Sequence, residues 1–109
     1  MAIAHAASGQ LVDVHPLGGQ LFEARTAALF KTDALEVMRL VLLAGKAMPA
    51  HSVKGETTIH CLEGEIELTS NRQTQRMKAG QMVWLAGGVE HTLTAVQNSS
   101  LLLTLVLRK

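Results

Sequence analysis

Two histidines, His51 and His91, carry most of the chemistry this chain can offer. The first lies in Gly45-Lys46-Ala47-Met48-Pro49-Ala50-His51-Ser52-Val53-Lys54-Gly55-Glu56-Thr57. The second closes Gly80-Gln81-Met82-Val83-Trp84-Leu85-Ala86-Gly87-Gly88-Val89-Glu90-His91. Imidazole is a metal ligand and a proton acceptor near neutral pH. A pair brought together could therefore hold a divalent transition metal, bind an anionic or carbonyl group, or move a proton. The companions decide between these. Zinc and iron sites ask for about three protein ligands or more, at roughly 2.0–2.3 Å. Near them in the sequence, Val53, Thr57, Ile59 and Ala95 are small, apolar or singly hydroxylated. They favour a dry pocket with two imidazole handles, the usual build of a small-ligand site. Two histidines inside a barrel can equally do no more than hydrogen-bond to neighbours or to trapped water.

Such a pocket needs a frame, and the hydropathy pattern supplies a β one. Val37-Met38-Arg39-Leu40-Val41-Leu42-Leu43 is a short apolar run closed by Ala44-Gly45, which suits a buried strand. Glu63, Glu65 and Glu67 alternate with Gly64, Ile66 and Leu68, the period of a strand wet on one face, so the three carboxylates are expected to form a solvated surface. Ser70-Asn71-Arg72 makes a turn, and further strands are expected over Met82–Leu85, His91–Val96 and Leu101–Leu107. Glu23 to Lys31 supports a helix or a strand equally. Pro16 and Pro49 should lie outside strand centres, where ladder hydrogen bonds are needed. Turn signals recur about every ten residues, as in an all-β sandwich or barrel. One barrel domain is expected over residues 11–109, behind a flexible N-terminal tail over residues 1–10.

The two fragments together resemble the paired motifs of the cupin superfamily, whose small RmlC-like members are jelly-roll barrels. Gly45, His51 and Gly64 stand in register with the first motif, and Gly80, Gly88 and His91 with the second. The resemblance covers about residues 37 to 107. It implies a metal site of two histidines and a glutamate from the first motif and one histidine from the second. This chain departs from that set: the second histidine position is Val53, the glutamate position Thr57, the proline position Ala86 and the terminal asparagine position Ala95. Only His51 and His91 remain as metal ligands. Glu56 is one residue off register and should face the other way unless a bulge re-aims it. His60 has the outward parity. Cys61 has the inward one but lies four residues beyond Thr57, about 13 Å along a strand.

Three functions follow from the resemblance. The one these residues favour is binding of a small molecule in the barrel with no metal or a weakly held divalent transition metal. The ligand pocket would comprise His51, Val53, Thr57, Ile59, His91 and Ala95. The second is an oxygenase-like metalloenzyme using His51 and His91. The third is a metal-free isomerase or epimerase with a histidine base.

Composition narrows the setting. The chain has 109 residues, 48% of them hydrophobic, and a net charge of +1 with interspersed signs. No basic stripe offers phosphate neutralisation, so nucleic acid is not an expected partner. No apolar run approaches the roughly 20 residues that span a bilayer, and the N-terminal residues do not read as an export signal. A lone cysteine, Cys61, excludes an internal disulfide and fits a reducing cytoplasm; its expected role is core packing. His5 and His15 should be exposed, and Trp84 should be core or a subunit contact. Leu101 to Leu107 is apolar on both strand faces, which calls for cover on both and suggests a homodimer.

Overall fold

The computed structural model describes residues 5–108, with the backbone alone at His51. Among the described residues nine strands form two antiparallel sheets: β1 (Ala27–Lys31), β2 (Leu35–Leu42), β3 (Ala47–His51), β4 (Thr57–Glu63), β5 (Glu65–Ser70), β6 (Gln73–Lys78), β7 (Met82–Leu85), β8 (His91–Ala95) and β9 (Ser99–Val106). One sheet runs β1-β2-β9-β4-β7 and the other β3-β8-β5-β6, the crossed order of an antiparallel jelly roll. Their facing sides close over a core of aliphatic side chains that includes Ile59, Ile66, Leu68, Leu93 and Leu101. Burial alternates along β4 and β8, so that Thr57, Ile59 and Cys61 face His91, Leu93 and Ala95 across the interior.

The ambiguous stretch resolves into a 3-10 turn at Gly18–Glu23 followed by the strand β1. A strand with little apolar signal, β6, escapes the hydropathy pattern. Its sequence is QTQRMK and only Met77 is buried, because it is the outer edge of its sheet. The β5–β6 turn carries Asn71 and Arg72 at φ 50° and 64°, the left-handed pair that matches strand twist in a tight hairpin. Pro49 departs from expectation, for it lies within β3. The position is tolerable because β3 is an edge strand and its pairing with β8 shifts register between Met48 and His51.

The three glutamates do not form one wet face. Glu63 ends β4 in the larger sheet, Gly64 turns the chain at φ 86°, and Glu65 opens β5 in the smaller one. Glu65 and Glu67 lie along Arg76 at 2.8 and 3.6 Å on that sheet's outer side. Glu63 instead accepts the backbone N–H groups of Leu17 (2.8 Å) and Gly18 (3.0 Å) and the Ser100 hydroxyl. It thereby pins the segment before β1 against the outer face of the larger sheet. That segment buries Leu21 and reaches Arg39 of β2 through the Asp13 carbonyl, so part of the cover on the outer face of the larger sheet comes from the chain itself. Residues 1–4, within the expected tail, lie outside the described residues; further on, the Ala6 N–H donates to the Leu29 carbonyl at 2.8 Å.

Candidate ligand site at the histidine rim

β3 ends and β8 begins at the same end of the barrel, and the ladder places His51 directly opposite His91. The row continues to Ser70 on β5 and Gln73 on β6. Four residues from four strands are thus aligned along one rim. On the facing sheet the rim is formed by Thr57, paired with Leu85 and Leu105. Two loops close the gap between the sheets: the Gly88 N–H donates to the Val53 carbonyl at 2.7 Å. A Cβ on Gly87 would overlap the Lys54 carbonyl, and one on Gly55 the Val106 carbonyl. Both positions require glycine because backbone passes backbone with no room for a side chain.

His91 is 3% exposed and its Nδ1 lies 3.2 Å from the Val89 carbonyl. A carbonyl only accepts, so in this contact Nδ1 is the donor. Thr57 is 2% exposed, and its Oγ1 has no hydrogen-bond partner among the described residues. A buried hydroxyl left so costs about 1–3 kcal/mol, which makes it the position where a ligand atom or an ordered water is most needed. A cleft of about 370 Å³ opens beside His91, with Ser70, Arg72 and Glu90 on its walls. The sequence patterns did not single out Ser70 and Arg72, because β5 and β8 become neighbours only through the crossed strand order; Glu90 directly precedes His91.

The remaining candidates distribute as follows. Val53 is half-buried in the loop before β4. Ile59 and Ala95 belong to the core cluster, Ala95 four residues along β8 from His91, or about 13 Å. Glu56 is exposed and accepts a hydrogen bond from the Trp84 indole at 2.8 Å on the outer side, so no bulge turns it inward. His60 pairs with Met82 and Leu102 on that same outer face. Cys61 is fully buried; burial pushes its thiol above the ordinary value despite a hydrogen bond to the Glu63 carbonyl, which keeps it a core thiol. His5 and His15 are exposed, and His15 Nδ1 lies 2.9 Å from Asp13 Oδ1.

The donor types at this rim do not fit a three-ligand metal centre. Inward positions of β4 carry a hydroxyl, an aliphatic chain and a distant thiol where carboxylate or imidazole would be required. Among the described residues, no group of three His, Cys, Asp or Glu is placed to hold a metal ion.

Two antiparallel sheets closed around an aliphatic core, with polar groups gathered at one mouth, define a small jelly-roll β-barrel. Its sequence matches the model of the cupin domain over residues 38–107, and the chain belongs to the cupin family. Against curated proteins it finds no match. Among solved structures it is similar to a protein of unknown function from Streptococcus pyogenes, at 22% identity and TM-score 0.76, covering 100% of this chain and 96% of that one. A cupin superfamily protein from Desulfitobacterium hafniense is similar at 18% identity and TM-score 0.79, covering 94% and 100%. A salicylate 1,2-dioxygenase variant from Pseudoaminobacter salicylatoxidans, in complex with gentisate, is similar at 22% identity and TM-score 0.65, covering 68% of this chain and 20% of that one. These likenesses establish the fold; function must come from the site.

Proposed function

We propose that this cupin binds a small molecule bearing an anionic or carbonyl group at the His51–His91 rim, without a tightly held metal. The observation that carries the reading is Thr57 Oγ1, a buried hydroxyl with no hydrogen-bond partner among the described residues, at the same end of the barrel as buried His91. A ligand oxygen or N–H would satisfy Thr57, and the ligand would meet the imidazole of His91. Ile59 and Ala95 are closed into the core, so the body of the ligand would stay in the cleft at the rim. Arg72 at the mouth of the cleft adds a cation that favours an anion.

Thr57→Val keeps the shape and removes the hydroxyl. It is expected to raise unfolding stability by about 1 kcal/mol in urea titrations of ligand-free protein, since an unpaired buried group is deleted. It should also abolish the amide shifts that small carboxylates and carbonyl compounds induce at Thr57 and His91 in an NMR screen. A loss of more than about 1 kcal/mol would mean that Thr57 already has a structural partner, and the reading would fall. Elemental analysis of untagged protein separates the oxygenase-like alternative. About one equivalent of transition metal, lost in His91→Ala, would overturn the metal-free reading.

We propose further that the protein is cytoplasmic, in keeping with its single, buried, unpaired Cys61, and that it forms a homodimer. Met82 and Trp84 stand 61% and 60% exposed on the outer side of β7, continuous with half-buried His60 and Leu102. Among the described residues no helix is long and apolar enough to cross a membrane. Light scattering across a concentration series should give twice the chain mass for the native protein and the single mass for Trp84→Glu. A monomer mass for the native protein at every concentration would refute the dimer.

A further inference from the structure

We propose that a second cleft, outside the barrel between the N-terminal segment and strands β1 and β2, binds a small aliphatic carboxylate through Arg39. Arg39 projects from the outer face of β2, in register with Ala27 of β1 and Leu102 of β9. It is 7% exposed, yet no carboxylate among the described residues lies within ion-pair distance of it. Its Nη1 has no hydrogen-bond partner among the described residues, and its Nη2 makes one long contact, 3.4 Å, to the Asp13 carbonyl. Glu63 is near enough to feel the charge, but its own oxygens are taken by Leu17, Gly18 and Ser100. A buried guanidinium is ordinarily paired, because desolvating it without a counter-charge is unfavourable. Here half of its fork is open.

Arg39 lines a cleft of about 430 Å³, within the size range of small-ligand sites. Leu17, Ala24, Ala27 and Leu29 supply apolar walls, and exposed Arg25 adds a second cation. Asp13 also lines the cleft and opposes an anion, but its Oδ1 is engaged by His15 at 2.9 Å. A planar guanidinium accepts carboxylate or phosphate through paired N–H donors. The aliphatic walls select between them, for a phosphate would leave them uncovered and a fatty carboxylate would bury its chain there. This site is separate from the histidine rim, being on the opposite side of the larger sheet from Thr57.

Titrating isotope-labelled protein with hexanoate tests the proposal, with hexanamide and inorganic phosphate as comparators. Saturable amide shifts confined to residues 13–39 with hexanoate, and none with hexanamide, are expected. Arg39→Gln should weaken hexanoate at least ten-fold. Ala27→Leu, which fills the cleft without touching the charge, should do the same, and both variants are checked for native circular dichroism. Because the hexanamide comparison uses unaltered protein, the test survives if Arg39→Gln fails to fold. Equal binding of hexanamide, saturation by phosphate alone, no saturable binding at all, or shifts centred on Thr57 and His91 would each overturn it.

Discussion

Gly64→Ala is expected to lower unfolding stability by about 3–5 kcal/mol, from left-handed backbone strain and overpacking together. Gly64 sits at φ 86°, where the chain leaves β4 in one sheet for β5 in the other. An added Cβ would also overlap the Asn98 carbonyl and the Ser99 hydroxyl. Ser99 has no freedom to retreat. Ser99 is fully buried, and its Oγ donates toward the carbonyls of Gln97 and Glu65 and accepts the Glu65 N–H at 3.0 Å. Gly80→Ala is the internal control, because Gly80 has φ 90° with nothing within 4 Å of the added Cβ. It should cost only the conformational part, about 1 kcal/mol. Urea unfolding of both variants measures the difference. Equal losses would mean that the crossing between the sheets has slack, and that the glycine of the first cupin motif serves backbone conformation alone.

That glycine illustrates what the sequence could and could not convey about the fold. The spacing of Gly45, His51, Gly64, Gly80, Gly88 and His91 was legible because each marks a strand end or a crossing that the barrel repeats. Strands with buried apolar runs, β2 and β9, were legible from hydropathy alone. Two edge strands, β3 and β6, were not. β6 exposes all but Met77, and β3 contains Pro49 at a register shift, so neither carries the period-two signal of a half-buried strand. The run from Glu63 to Leu68 misled for a different reason. Its alternation is genuine, but Gly64 breaks it into two sheets, and a period cannot reveal that the chain has changed layer.

The candidate site was legible to the same depth. Registering His51 against His91 required only that the two motif strands be neighbours, which family resemblance implied and the β3–β8 ladder realises. The consequence of having threonine at position 57 was visible only in part: a small hydroxyl could be named, but its burial without a partner depends on Leu85 and Leu105 packing alongside. Ser70 and Arg72 reach the rim through the pairing of β5 with β8, a contact between distant segments. Arg39 shows the limit most clearly. In sequence it is a charge interrupting an apolar strand, which ordinarily predicts a solvated side chain. The N-terminal segment buries it, and no local pattern announces where that segment lies.

What holds that segment down leads to an expectation about pH. Burial opposes ionisation of Glu63, but the Leu17 N–H, the Ser100 hydroxyl, the Gly18 N–H and the charge of Arg39 together outweigh it and hold the carboxyl below its ordinary value of 4.5. A folded-state value below the unfolded one contributes stability that is present in full above pH 4.5 and lost as pH falls through the folded value. Glu63→Gln removes the charge while keeping the shape. At pH 7 it should cost about 1–2 kcal/mol, the range for hydrogen bonds to a partly exposed charged acceptor. The gap between native protein and variant should narrow as pH drops below 4.5, because the native carboxyl then becomes protonated and loses the same interactions. Taking the difference cancels other carboxylates, such as Glu65 with Arg76, which titrate in both proteins. Hydrogen exchange adds a spatial readout: Leu17 and Gly18 amides should lose protection in the variant before the core amides of Ile59 and Leu101 do. A gap independent of pH would mean that Glu63 holds the segment by shape and not by charge, and uniform protection loss would mean that the segment and the barrel unfold as one unit.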